Sequence, residues 1–113
     1  MAISLCYKAM QELESITGSN SPDLASLLNI LAVIYQEQGR LKDSIDLLQE
    51  TLEIREKVLG LKHPLVASTL NHLSVLYGQC GDFKTAEPFC QRALEIRKEV
   101  RRSISNRVVI QYL

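Results

Sequence analysis

The sequence predicts an all-α protein, a solenoid of antiparallel helix pairs. Three observations predict it: a 42-residue internal repeat, apolar residues at helical spacing within each repeat, and proline and glycine where helices must start and stop. Displacing the chain by 42 positions places Pro22 on Pro64. It aligns Ala25, Ser26, Leu28, Asn29, Leu31, Val33, Tyr35 and Gly39 with Ala67, Ser68, Leu70, Asn71, Leu73, Val75, Tyr77 and Gly81. Further on, Lys42, Gln49, Leu52, Glu53, Ile54, Arg55 and Val58 meet Lys84, Gln91, Leu94, Glu95, Ile96, Arg97 and Val100. The result is sixteen identities over 37 positions, where chance gives about two or three.

The elements follow in order. Residues 1–18 read as the second helix of a partial repeat, since a further shift puts Cys6 on Leu48 and Cys90, Ala9 on Thr51 and Ala93, and Gly18 on Gly60. Residues 19–60 form a full unit. Its first helix carries Leu24, Leu27, Leu28, Leu31, Ile34 and Tyr35 at helical spacing. Pro22 sits at a first-turn position, where a missing N–H costs nothing, and Gly39 supplies the left-handed residue that ends the helix. The second helix spans about Leu41 to Leu59 and is closed by Gly60. Residues 61–102 repeat this plan after a Leu61–Pro64 turn. Val66, Leu70, Leu73, Leu76 and Tyr77 mark the first helix, Gly81 its stop, and Asp82 the N-cap of a second helix from about Phe83 to Val100. Pro88 falls inside that helix, where proline costs about 3 kcal/mol; either the helix begins after it or packing overrides a kink. Residues 103–113 are a divergent tail or the start of a further helix.

Neither helix of such a pair can bury its apolar stripe alone, so successive pairs stack around a continuous core. Small residues belong where helices cross closely, which suits Ala32 and Ser74, Ser44 and Ala86, and Ala9, Thr51 and Ala93. Tyr35, Tyr77, Leu48 and Cys90 fill the spaces between. First helices then line the concave side and leave a groove for an extended peptide.

Composition narrows the function. The chain has thirteen basic and thirteen acidic side chains, with ten basic and thirteen acidic before residue 100 and only Arg101, Arg102 and Arg107 after it. That is too little positive charge for the counterion release on which nucleic-acid binding depends, so no nucleic acid is expected. Cys6, Cys80 and Cys90 contain no CxxC pair, which reads as free thiols in a reducing compartment. The first residues lack the basic and apolar regions of a signal peptide, and no apolar run approaches the roughly 20 residues that cross a bilayer. A cytoplasmic protein with no membrane association is the expectation.

Small residues at close crossings and an aromatic near the end of the first helix resemble the tetratricopeptide pattern, which implies a right-handed superhelix. The unit departs from the usual length, at 42 residues, and places Leu28 and Leu70 where tryptophan is usual. Leu28–Ala32, Glu53–Gly60, His63–Pro64, Ala86–Pro88 and Arg92–Lys98 together closely resemble the kinesin light chain repeats, and Leu5–Ala9 resembles the end of that family's first repeat. The resemblance covers about residues 4 to 100. It implies a cytoskeletal, microtubule-associated subunit of kinesin-1 whose groove binds cargo-adaptor peptides, an aromatic residue flanked by acids. It implies a peptide-binding groove of Asn29, Ile30, Val33 and Gln36, then Asn71, His72 and Val75, with Leu48, Arg55 and Arg97 contributed by second helices. Gln36 stands where the family usually has arginine and His72 where a second asparagine is usual. Loss of a cation weakens attraction to acidic peptides by about 1 kcal/mol or more. The heptad segment that would reach kinesin heavy chain is not among these residues. The alternative is a tetratricopeptide module of another scaffold or regulatory protein with 42-residue units.

Each candidate also has a plainer reading. Asn29 and Asn71 either hold a peptide backbone or are solvated; Arg55 and Arg97 either meet acidic ligand residues or form intrahelical pairs. His63 and His72 have no carboxylate or cysteine at ligand spacing, so no metal site is expected. No catalytic group, cofactor or phosphate-binding loop is expected either. Apolar faces left uncapped at both ends predict dimerisation or marginal folding.

Overall fold

The computed structural model describes residues 2–18 and 21–112, whose backbone forms five helices and, among these residues, no strand. They are α1 (Ala2–Thr17), α2 (Pro22–Glu37), α3 (Leu41–Leu59), α4 (Pro64–Gln79) and α5 (Phe83–Tyr112). Each helix packs on the next in sequence, which makes an all-α solenoid. Its radius of gyration is 16.1 Å and its extents are 54 × 38 × 20 Å, against a radius of about 13 Å for a compact domain of this length. The stack grows along one direction instead of closing on itself.

Local chemistry sets the helix ends. Ser21, in extended backbone, accepts the amides of Asp23 and Leu24 on Oγ at 3.1 and 3.4 Å before Pro22 opens α2. One repeat later His63 does the same work with its ring, Nδ1 accepting the Leu65 amide at 3.1 Å. Asp82 caps α5 as expected, its Oδ1 accepting the Thr85 amide at 3.2 Å. At the other ends, the turn residues Gly39 and Gly81 have φ of +79° and +83°. The amides of Arg40 and Asp82 then reach back to the carbonyls of Tyr35 and Tyr77, both at 2.9 Å.

Within a pair, the helices cross at the small residues, and each crossing carries a hydrogen bond that residue size alone does not predict. Ser44 Oγ on α3 donates to the Ala32 carbonyl of α2 at 2.6 Å. In the next pair the roles are exchanged, and Ser74 Oγ on α4 donates to the Ala86 carbonyl of α5 at 3.0 Å. Between pairs, tyrosine hydroxyls mark the register: Tyr7 meets Tyr35 at 3.2 Å, and Gln49, 42 residues after Tyr7, donates to Tyr77 at 2.8 Å.

The core is aliphatic, with Leu28, Leu31, Leu48, Leu70, Leu73 and Leu76 fully buried. Each such side chain contributes about 1.5–3 kcal/mol by leaving water. One cluster joins Leu24, Ala25 and Leu28 to Ile54; a larger one runs from α2 to α5, and Leu47 packs against both.

The structure extends α5 beyond the end expected near Val100. Continuous helix runs through residues 103–112, with a physical reason in the repeat register. Gly60 closes α3 at φ +90°, a conformation open to glycine at little cost; the matching position in α5 is Arg102, and the proline of the following turn is replaced by Asn106. Both stop signals are gone. Pro88 does not delay the helix, which begins at Phe83. Packing holds it: Phe89 stacks on Tyr77 with ring centroids 5.6 Å apart, and Ala86 receives the Ser74 hydroxyl.

Candidate peptide-binding face

The buried stripe of α2 leaves Ser26, Ile30, Val33 and Glu37 on its open side, and the buried stripe of α4 leaves Leu65, Ser68, Val75 and Gln79. The first set recurs at three- and four-residue spacing and the second at three, seven (two helical turns) and four, so each lies on one face of its helix. The faces are adjacent because Gln36 bridges them. Its Oε1 lies 2.7 Å from His72 Nε2, and its Nε2 donates to Gln79 Oε1 at 3.1 Å. The two departures from the resembled family, Gln36 and His72, are therefore bonded partners. Burial pulls the His72 imidazole below its ordinary value of 6.5.

Of the ten residues assigned to a groove, seven lie on α2 and α4. Ile30, Val33 and Val75 are exposed at 49%, 36% and 48%, an apolar surface that a ligand side chain can cover. Asn29 and Asn71 are half-buried and their side chains make no hydrogen bond among the described residues, so both side-chain amides remain available to a peptide backbone. Gln36 and His72 are half-buried and engaged with each other.

The other three are placed elsewhere. Leu48 has no exposed surface and belongs to the core between α3 and α4, so it supports the face from beneath and cannot line it. Arg55 is buried between the same helices, where its Nη1 donates to Thr69 Oγ1 at 2.7 Å; desolvation lowers its guanidinium pKa. Arg97 is exposed and lies on α5 beside Pro64, Val100, Arg101 and Ile104. With both arginines off the face, the charges on the open sides of α2 and α4 are those of Asp23 and Glu37. Sequence reasoning missed Leu65 and Gln79, although Leu65 is seven positions before His72 and Gln79 seven after it, two helical turns either way.

No group of three His, Cys, Asp or Glu among the described residues is placed to hold a metal ion. No described helix is long and apolar enough to cross a membrane. Cys6, Cys80 and Cys90 are unpaired thiols.

Comparison with known proteins agrees with this geometry. The tetratricopeptide repeat family profile matches residues 1–57 and 23–99. Among solved structures, BtubC (BKLC) from P. vanneervenii superposes with a TM-score of 0.78 at 26% identity, over 85% of this chain and 39% of that one. This chain thus corresponds to less than half the length of that protein. No curated protein matches the sequence.

Proposed function

The chain belongs to the tetratricopeptide repeat family, and from that premise we propose that it holds a peptide segment of a protein partner on the α2–α4 face, as the cargo-adaptor-binding part of a kinesin light chain. Repeats of this family are protein-interaction scaffolds, and no residue cluster described above is organised for catalysis. The observation that carries the reading is the juxtaposition of exposed Ile30, Val33 and Val75 with the unbonded side-chain amides of Asn29 and Asn71. Apolar side chains cover an aromatic anchor, while an asparagine amide can both donate to and accept from a peptide backbone. The closeness of Glu53–Gly60 and Arg92–Lys98 to kinesin light chain repeats supports the cargo-adaptor role and a cytoplasmic, microtubule-associated location.

The charge on this face refines the ligand. An aromatic residue finds an apolar surface, whereas acidic flanks meet Asp23 and Glu37 and no arginine. Fluorescence anisotropy with an aromatic-acidic peptide tests both halves. Substituting alanine for the aromatic residue is expected to weaken binding about tenfold or more, and neutralising the acids to leave it within about threefold. Absence of saturable binding up to about 1 mM, or loss caused only by neutralising the acids, would sink this assignment.

A further inference from the structure

The bridge between α2 and α4 contains one titratable ring, and its hydrogen bonds fix which nitrogen holds the proton. Gln36 gives its side-chain N–H to Gln79. The oxygen it turns to His72 at 2.7 Å is therefore an acceptor, and Nε2 is the protonated nitrogen of the neutral imidazole. Nδ1 then carries a lone pair and makes no hydrogen bond among the described residues. No buried side-chain nitrogen or oxygen among them lacks a partner, so Nδ1 of this half-buried residue reaches solvent. His72 stands in the stripe of α4 that holds Ser68 and Val75, and the free edge of its ring opens on the candidate face. Both helices that form this junction are complete here.

Protonation adds a hydrogen at Nδ1 and leaves the Nε2 bond to Gln36 in place. The bridge survives, while the open edge changes from an acceptor to a cationic donor. We propose that His72 is a specificity residue of the α2–α4 face, binding a ligand carboxylate beside the aromatic anchor when the ring is protonated and releasing it when the ring is neutral. The proposal rests on the reading of that face as a peptide site. The surrounding charges leave the role to a ligand. Tyr77 and, at the N-terminal cap, His63 are the other titratable groups of α4. At open or covered positions of the helices around it stand Asp23, Tyr35 and Glu37 of α2, Arg55 and Glu56 of α3, and Arg92 of α5. Arg55 is bonded to Thr69 and Glu56 to Arg92, and no carboxylate among the described residues forms an ion pair with His72. The half-buried imidazolium thus has no internal counterion, and burial keeps the unliganded ring neutral near pH 7. A bound carboxylate supplies the missing partner, so proton uptake and recognition of the acid reinforce each other.

Fluorescence anisotropy on the 113-residue chain compares two labelled peptides, one with an aromatic residue flanked by glutamates and one with glutamines in their place. Measurements are made at about pH 7.5 and about pH 5.5, where glutamate in a free peptide, with a pKa of about 4.3, is still ionised. The two affinities are expected to lie within about threefold at the higher pH. At the lower pH their ratio should shift by about three- to tenfold toward the acidic peptide. His72→Gln removes the titration and keeps a donor for Gln36, along with Asp23, Glu37 and His63, and its ratio should not move with pH. Reading ratios cancels any change in the variant's absolute affinity. NMR titration of the imidazoles is the second readout. The proton of neutral His72 should sit on Nε2, and its pKa should rise with the acidic peptide by the factor seen in the affinity ratio, but not with the glutamine peptide; His63 should move with neither. Binding with a ratio indifferent to pH, a ratio that moves equally in His72→Gln, or a neutral ring protonated on Nδ1 overturns this proposal and leaves the peptide-binding face standing. No saturable binding of either peptide up to about 1 mM at either pH overturns both.

Discussion

Buried guanidinium groups depend on the few acceptors that reach them, and Arg55 has the Thr69 hydroxyl and no ion pair among the described residues. Thr69→Val keeps the shape and removes that acceptor, so urea denaturation should show a loss of about 2 kcal/mol. Arg55→Leu in the same background should recover most of it, because the charge no longer has to be buried. The chain already contains the apolar version: the equivalent positions one repeat earlier are Leu13 and Leu27. Reading Arg55 and Arg97 as equals went astray here, since identity in the register says nothing about whether a neighbouring helix lies on top. His72 makes the second prediction at this scale. Burial favours its neutral form, so the unfolded chain takes up the proton more readily than the folded one. Stability is then complete above a pH of about 6.5 and falls as the pH drops below it. His72→Gln, which keeps a donor for Gln36, should flatten that part of a pH series of melting temperatures.

Among the helices, α5 joins two elements the sequence marks as irregular. Pro88 lies in its sixth position, so the helix forgoes the bond to the Lys84 carbonyl while Phe89 and Ala86 keep their contacts with α4. Pro88→Ala should therefore raise stability by about 2–3 kcal/mol without moving either end, as a higher urea midpoint and unchanged helical content would show. Helix starts were legible in the sequence because caps are local: Pro22, Pro64 and Asp82 act where their residue types suggest. The continuation past Val100 was less legible. The missing glycine and proline were visible at 102 and 106, but their loss alone does not say whether the chain turns by other means or runs straight. The candidate face was legible to the extent that outward positions repeat every three or four residues. The bond between Gln36 and His72 was not, because it joins residues 36 apart on neighbouring helices.

At the scale of the whole molecule, stability passes from pair to pair through a few shared side chains. Leu47 packs against both core clusters, so Leu47→Ala should lower stability by about 2 kcal/mol and also loosen the coupling between the halves. Calorimetry should then give a van't Hoff enthalpy below the measured one, where wild type gives equal values. A wild-type transition that is already split would count against a continuous core. One further consequence comes from the serine that changes sides between the two crossings. What the repeats share there is a bond, Ser44 to Ala32 in one and Ser74 to Ala86 in the other, and not a residue. A lineage drifting from one arrangement to the other through a serine on both helices keeps a hydroxyl donor throughout, whereas a route through alanine on both loses it. The ancestral unit could therefore exchange the two without ever leaving the crossing unbonded, and residue identity undercounts how alike its copies have stayed.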